Sequence, residues 1–247
     1  MDYNPFSLQN KTILVTGASS GIGRAIAVEC SRMGALLIIT GRNEERLKET
    51  LVLLSGEGHS MLQADLVITS QVEYLVSCLP KLDGIVVSAG VNDKSLIKNI
   101  SMEKIGQMMS INFMAPELLL QSLLKKKKIN KFGSIVFLSS ISAFYPTISN
   151  GLYASSKGAL NAFSRVLALE VMGMRIRVNC IQPAFVETEM LMKYPLQEEI
   201  QEIKDHYPMG RFAKPEEIAY AAVYFLADVS QWVTGNFFTM DGGFTLR

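Results

Sequence analysis

Metal-binding and disulfide chemistry are poorly supplied in this chain of 247 residues, which carries three cysteines and two histidines. Cys30, Cys78 and Cys180 stand in unrelated contexts without a CxxC, and only His59 and His206 accompany them. That set fits neither a disulfide framework nor a zinc site; it predicts three small buried hydrophobes in a reducing compartment, and no metal. Excess charge of one sign is also missing: 24 Lys+Arg against 23 Asp+Glu leave a formal net charge of +1. No global field therefore recruits nucleic acid or an anionic membrane. No run approaches the ~18 apolar residues of a membrane span. The opening "MDYNPFSLQNK" has neither a basic start nor an apolar run, so a soluble cytoplasmic protein is expected. The local exception in charge, Lys125 to Lys128, reads as a solvated helix end that complements the helix dipole, with docking of an acidic partner as the alternative.

What is present is apolar sequence in short, regular portions. With 49% apolar residues and no composition shift or Pro/Ser-rich linker, the chain reads as one domain over 1–247 with a sizeable core. "TILVT" (12–16), "ALLIIT" (35–40), "GIVVS" (84–88), "SIVFLS" (134–139) and "IRVNCI" (176–181) read as strands buried on both faces, with a weaker strand at 60–63. Helix-length segments separate them at 22–33, 44–54, 71–79, 102–125 and 153–171. Such β-α alternation predicts an α/β fold: a Rossmann-type, doubly wound parallel sheet of about seven strands with helices on both faces. Ligands of such sheets sit beyond the carboxyl ends of the strands, where strand order reverses.

The turn after the first strand, "GASSGIGRAIA", places Gly17, Gly21 and Gly23 between a strand and a helix. In that context glycines give a tight turn and a close approach of backbone N–H groups to a diphosphate; a plain strand-to-helix turn is the alternative. After the second strand, Gly41 and Arg42 stand where an NAD-binding chain carries an acid. A guanidinium there pairs with a ribose 2′-phosphate that a carboxylate would repel, which makes NADP(H) the expected cofactor. Asp65 in "QADL" can accept from an adenine amino group or serve as a turn residue. Ser88, Ala89 and Gly90 end the fourth strand with small residues that let ribose and nicotinamide lie against the backbone. Tyr153 and Lys157 in "YASSK" lie one helical turn apart, a spacing common on helix surfaces.

Taken together, these segments resemble the short-chain dehydrogenase/reductase family, over nearly the whole chain. The resemblance rests on "TGASSGIG" (16–23), "ADL" (64–66), "SAG" (88–90), "IN" (111–112), "SS" (139–140), "YASSK" (153–157), "VNCIQPAFVETEM" (178–190) and "TGNFFTMDGG" (234–243) in that order. It implies a catalytic tetrad of Asn112, Ser140, Tyr153 and Lys157, with Tyr153 as proton donor to a carbonyl oxygen. A phenol at its ordinary pKa of ~10 is a poor shuttle near neutrality, and an adjacent ammonium lowers it by favouring the phenolate. Ser140 would bond the carbonyl oxygen and stabilise developing charge. Asn112 would offer its backbone carbonyl at a helix irregularity. The resemblance further implies cofactor contacts from Ser19, Ser20, Ile22 and Leu66, from Lys157 to the nicotinamide ribose, and from Pro183, Val186 and Thr188 to the carboxamide.

Two positions depart from the family pattern: Ser88 replaces an asparagine and Ala184 a glycine, both with small residues. Substrate is expected to be a small-molecule carbonyl compound under a lid at about 189–212, where Met190, Leu191, Met192, Tyr194 and Leu196 form an apolar cover and Phe144 and Tyr145 line the same pocket. Among family members the chain is most similar to β-ketoacyl-acyl-carrier-protein reductases. Lys131 and Arg175 lie close to the positions that receive the acidic carrier protein, but Met174 stands where an arginine is expected. Keto-sugars and other small ketones remain alternative substrates, and a catalytically silent nucleotide-binding regulator is the alternative class. The segments "EEIAYAAVYFLAD" (216–228) and "NFFTM" (236–240) match the elements through which family members form homodimers and homotetramers; core packing explains them equally well.

Overall fold

The computed structural model describes residues 3–145, 147–189, 191 and 197–246. Seven strands, β1 (Thr12–Thr16), β2 (Leu36–Gly41), β3 (Ser60–Gln63), β4 (Leu82–Val87), β5 (Ile129–Leu138), β6 (Arg177–Pro183) and β7 (Phe237–Met240), form one sheet in the order 3-2-1-4-5-6-7. Every pairing is parallel. The chain thus builds outward from β1 to β3, returns past β1, and builds the other half from β4. The strand-order reversal lies between β1 and β4, where such sheets bind ligands.

Residue alternation explains why the sheet is covered on both sides. Ile13 and Val15 of β1 face one apolar cluster, which includes residues of α1 (Gly21–Arg32) and α8 (Pro215–Leu226). Leu14 faces the other, built with α3 (Thr69–Cys78), α5 (Ala115–Lys125) and α6 (Gly151–Glu170). With side chains alternating along each strand, only apolar runs satisfy both layers, as the continuous "ILV" of β1 does. α2 (Glu44–Val52) joins β2 to β3, and α7 (Gln197–Asp205) follows β6. Among the described residues no helix is long and apolar enough to cross a membrane.

Several expectations are refined. The segment at 102–125 is three elements: α4 (Met102–Met109), a π-helical turn (Ser110–Met114) and α5, with Ala115 N bonded to Ser110 O. β5 begins at Ile129, ahead of the expected strand, where Ile129 pairs with Leu82 and Leu82 N donates to Lys128 O. In the lysine run, the Lys128 ammonium turns inward to the carbonyls of Leu79 and Ser77 and so caps the end of α3. Cys30 and Cys180 are buried, but Cys78, in the last turn of α3, is exposed. The segment at 216–228 is chiefly core: Ile218, Ala219, Ala222, Val223, Phe225 and Leu226 of α8 are all buried.

Arg177 is an unexpected structural device. Its guanidinium is buried and donates to Phe225 O at 2.6 Å, Ser230 Oγ at 2.6 Å and Ala227 O at 3.2 Å, satisfying the carbonyl end of α8. Burial lowers its pKa, with Asp228 pulling the other way. Phe225 O also accepts from Ser134 Oγ at 2.7 Å and Ala227 O from Ser230 Oγ at 3.0 Å, so Arg177→Met removes charge-assisted bonds without orphaning either carbonyl and is expected to cost about 2 kcal/mol in urea denaturation.

Candidate functional site

The carboxyl ends of the strands open on a cleft of about 1010 Å³. Of the residues expected to hold a dinucleotide, Gly17, Ser19, Ser20, Gly21, Ile22, Gly23, Arg42, Asp65, Leu66, Ser88, Ala89, Gly90, Pro183 and Thr188 line it, together with Tyr153 and Lys157. Val186 does not. It bridges to Ala213 and its side chain lies in the apolar cluster beside α1 and α8, so the expected carboxamide contact would fall to its backbone.

Backbone proximity shapes the phosphate end of this cleft. Gly17 has φ +65°, and a Cβ there would lie 2.8 Å from both N and Cα of Ala89. A Cβ on Gly23 would lie 2.3 Å from Gly17 O, so no larger residue fits without moving backbone. Thr16 Oγ1 accepts from Ser88 N at 3.1 Å and Ala89 N at 3.3 Å, fastening the loop after β4 over the turn after β1. These contacts are why small residues end β4, and they leave the first N–H groups of α1 facing the cleft, a cradle suited to a diphosphate.

At the end of β2, Arg42 is exposed, and its guanidinium makes no hydrogen bond or ion pair with a described residue; its carbonyl accepts from Gln63 Nε2 at 2.8 Å. Asp65 lines the cleft and also closes a turn, Oδ1 accepting from Val67 N at 3.1 Å. Its other carboxylate oxygen is left for a ligand donor.

At the opposite end, Tyr153 and Lys157 are on the first turns of α6, and the Lys157 ammonium lies 5.7 Å from the centroid of the Tyr153 ring. Lys157 is 5% exposed and donates to Leu138 O, at the end of β5, at 2.7 Å. Burial lowers its pKa to about 8, with Cys180 opposing weakly; the same burial raises the Cys180 thiol to about 11.

Asn112 sits within the π turn, the irregularity expected of it, but is fully buried and is not on the cleft wall. Its side chain is a staple: Oδ1 accepts from Val91 N at 2.8 Å, and Nδ2 donates to Val91 O at 2.8 Å and Ser156 Oγ at 3.1 Å. Ser156 Oγ in turn donates to Tyr153 O at 2.8 Å. Asn112 thereby links the loop after β4 to the helix turn that carries Tyr153.

Ser140 is also buried and lies beside the cleft, not on its wall, because it caps the short turn at Ile141–Ala143. Its Oγ accepts from Ser142 N at 3.1 Å and lies 3.2 Å from Ser142 Oγ, which receives Asn150 Nδ2 at 3.0 Å. This Ser140–Ser142–Asn150 chain was not legible in the sequence, since its members come from two loops. Also missed were Arg46 and Glu189, both lining the cleft and paired at 2.7 Å; the signal for Arg46 was its position four residues beyond Arg42, in the first turn of α2.

The expected apolar cover divides. Met190, Met192, Tyr194 and Leu196 lie outside the described residues, whereas Leu191 is buried in a cluster with Tyr207 and Phe212. Phe144 is half exposed, and Tyr145 packs edge-on against Phe244 with centroids 5.4 Å apart.

The Lys157 pKa fixes the sign of a pH effect. Its folded value is about 8 against 10.5 unfolded, so between these limits the unfolded chain binds more protons and stability gains from this group as pH rises. Lys157→Met is expected to remove that gain. Denaturant titrations of both proteins at pH 8 and pH 10 check it, the difference between their slopes being the readout.

Comparison with known proteins agrees with this geometry. The family described as Enoyl-(Acyl carrier protein) reductase matches residues 17–245. The uncharacterized oxidoreductase YmfI of Bacillus subtilis is 34% identical over 239 residues, covering 95% of this chain and 98% of its own. The 3-oxoacyl-[acyl-carrier-protein] reductase FabG of Rickettsia felis is 32% identical, covering 96% of this chain and 97% of its own. Among solved structures, a putative NAD(P)-dependent gluconate 5-dehydrogenase from Beutenbergia cavernae, with NADP bound at low occupancy, superposes with a TM-score of 0.88 at 29% identity, covering 99% of this chain and 100% of its own. With its sheet order, its glycine turn and a tyrosine and lysine sharing one cleft, this chain belongs to the short-chain dehydrogenase/reductase family of oxidoreductases.

Proposed function

We propose that the protein is an NADPH-dependent carbonyl reductase whose catalytic residues are Ser140, Tyr153 and Lys157, with Asn112 as the residue that positions them. One observation carries the reading: Tyr153 and the buried Lys157 ammonium occupy the same cleft as the glycine turn and Arg42. The glycine cradle and the exposed guanidinium suit a dinucleotide with a 2′-phosphate, so the fit is sound at both ends. When bound, the nicotinamide supplies the hydride. Tyr153 gives its proton to the oxygen that becomes an alcohol, and Lys157 favours the phenolate left behind. Ser140 donates to the same oxygen once its hydroxyl turns from Ser142, stabilising charge as it develops.

A 3-oxoacyl thioester is the substrate class favoured by the likeness to the Rickettsia reductase. Docking of an acyl carrier protein is less favoured, because Met174 replaces an arginine and Arg175 is stacked over Phe132, 5.4 Å from its ring centroid. That stacking supports a second reading, a free small ketone or keto-sugar as substrate. The exposed Tyr220, Trp232 and Phe238 near α8 and β7 support assembly into a homodimer or homotetramer, in a reducing compartment such as the cytoplasm.

A screen following NADPH oxidation with 3-oxoacyl thioesters, keto-sugars and simple ketones tests both readings. Turnover identifies the substrate class, and tight NADPH binding without turnover across the panel would point instead to a silent nucleotide-binding protein. Tyr153→Phe is expected to keep NADPH affinity while activity falls by about two orders of magnitude or more. Unchanged turnover would remove Tyr153 from the mechanism. Arg42→Ala should weaken NADPH about ten-fold more than NADH, measured by nucleotide fluorescence; equal effects would refute its 2′-phosphate role.

A further inference from the structure

A second guanidinium stands at the same end of the cleft as Arg42. Arg46, four residues later, lies in the first turn of α2 and lines the same wall. It is not idle: Nη2 donates to Glu189 Oε2 at 2.7 Å, joining α2 to the segment that follows β6. Two contacts show how chain distant in sequence reaches this point. Ser19 Oγ lies 3.4 Å from where a Cβ on Gly41 would stand, so the glycine turn meets the end of β2 beside Arg42. Thr188 Cγ2 lies 3.3 Å from where a Cβ on Gly21 would stand, so the segment after β6 crosses the glycine turn and delivers Glu189 to α2.

Two of the neighbouring charged groups are committed elsewhere. Arg24 donates to Ser19 O, Thr50 Oγ1 and Glu49, and Glu44 is paired with Lys48. The end of β2 presents Arg42 and Arg46, with Glu189 paired to the second and Asp65 lining the same cleft. The Arg46–Glu189 partners are 41% and 59% exposed, so the pair is solvent-screened and worth little, and a stronger anion can displace the carboxylate. A phosphomonoester carries about −1.5 to −2 charges near neutral pH and presents three acceptor oxygens, against one charge on Glu189.

We propose that Arg46 is a second ligand for the ribose 2′-phosphate of NADP(H), held in reserve by Glu189, which the phosphate displaces. The inference rests on the NADP(H) reading above and adds a residue pair that grades it. A nucleotide lacking the 2′-phosphate has nothing with which to exchange Glu189, so Arg46 stays paired and contributes nothing to its binding.

Calorimetric titration with 2′,5′-ADP and with 5′-ADP isolates the phosphate from the nicotinamide and needs no carbonyl substrate. Arg46→Met is expected to weaken 2′,5′-ADP about ten-fold, as for loss of a charge-assisted bond, and to leave 5′-ADP unchanged. Glu189→Gln is expected to tighten 2′,5′-ADP about three-fold, the worth of an exposed ion pair, a gain that misfolding cannot mimic. The double variant should match Arg46→Met. The backbone bonds of Arg46, N to Asn43 Oδ1 and O to Thr50 Oγ1, survive the substitution, so thermal stability should hold. If both single variants bind 2′,5′-ADP like the parent while Arg42→Ala weakens it, the role of Arg46 is overturned and that of Arg42 stands. Equal loss of 5′-ADP in Arg46→Met also overturns it. If 2′,5′-ADP is not preferred over 5′-ADP and Arg42→Ala changes neither, the NADP(H) reading itself fails.

Discussion

Lys157 brings an ammonium group into the interior at the point where α6 leans on the end of β5, and a buried charge of this kind is tolerated only where polar partners surround it. Leu138 O, at the end of β5, supplies one. A Cβ on Gly90 would lie 3.6 Å from the ammonium, so the loop after β4 closes in on a second side. The helix carrying Lys157 is held in register by Ser156, and Ser156 is held by Asn112 from the π turn. The end of β5, the loop after β4, the π turn and the start of α6 thus meet around one charge. Tyr153 shares that turn of helix and faces the same cleft.

The two ends of the cleft obey different electrostatics. At the β2 end the charges are exposed, screened by water and salt, and held in pairs that exchange readily. Such an end suits recognition of a phosphate by mass action. At the Lys157 end the charge is desolvated and its pKa lies near 8, where small changes in its surroundings alter proton occupancy. That end suits proton transfer at a fixed geometry. The same strand topology provides both, because β2 and β5, which carry the two ends, lie on opposite sides of the central β1–β4 pair.

A row of rings ties the loop after Ser140 to the segment after α7. Tyr145 meets Phe244 at 5.4 Å between centroids, Phe244 stacks on Tyr207 at 4.7 Å, and Tyr207 meets Phe212 at 5.4 Å. Tyr207 is buried, which raises its phenol to about 12, and its oxygen accepts from Phe185 N at 3.1 Å. The loop after Ser140, the segment after α7 and the last residues of the chain are therefore packed as one surface, and a change in any of them is felt by the others.

Local chemistry made much of this legible. The strand runs and the glycine turn follow from residue type and order, because apolar alternation and left-handed glycine are properties of neighbouring residues. A motif does not say which way a side chain turns, and that of Val186, beside the bridge to Ala213, lies in the core. Arg46 and Glu189 were passed over because each alone is an ordinary surface charge. By itself, the sequence determined the doubly wound sheet, the cleft at its carboxyl edge and the tyrosine–lysine pair. Tertiary structure alone decided that Lys157 is buried, that Ser140 is turned toward Ser142, and that Glu189 reaches Arg46 across 143 residues. Those outcomes depend on distances between segments far apart in the chain, and distance of that kind is set when layers pack, not when neighbours are chosen.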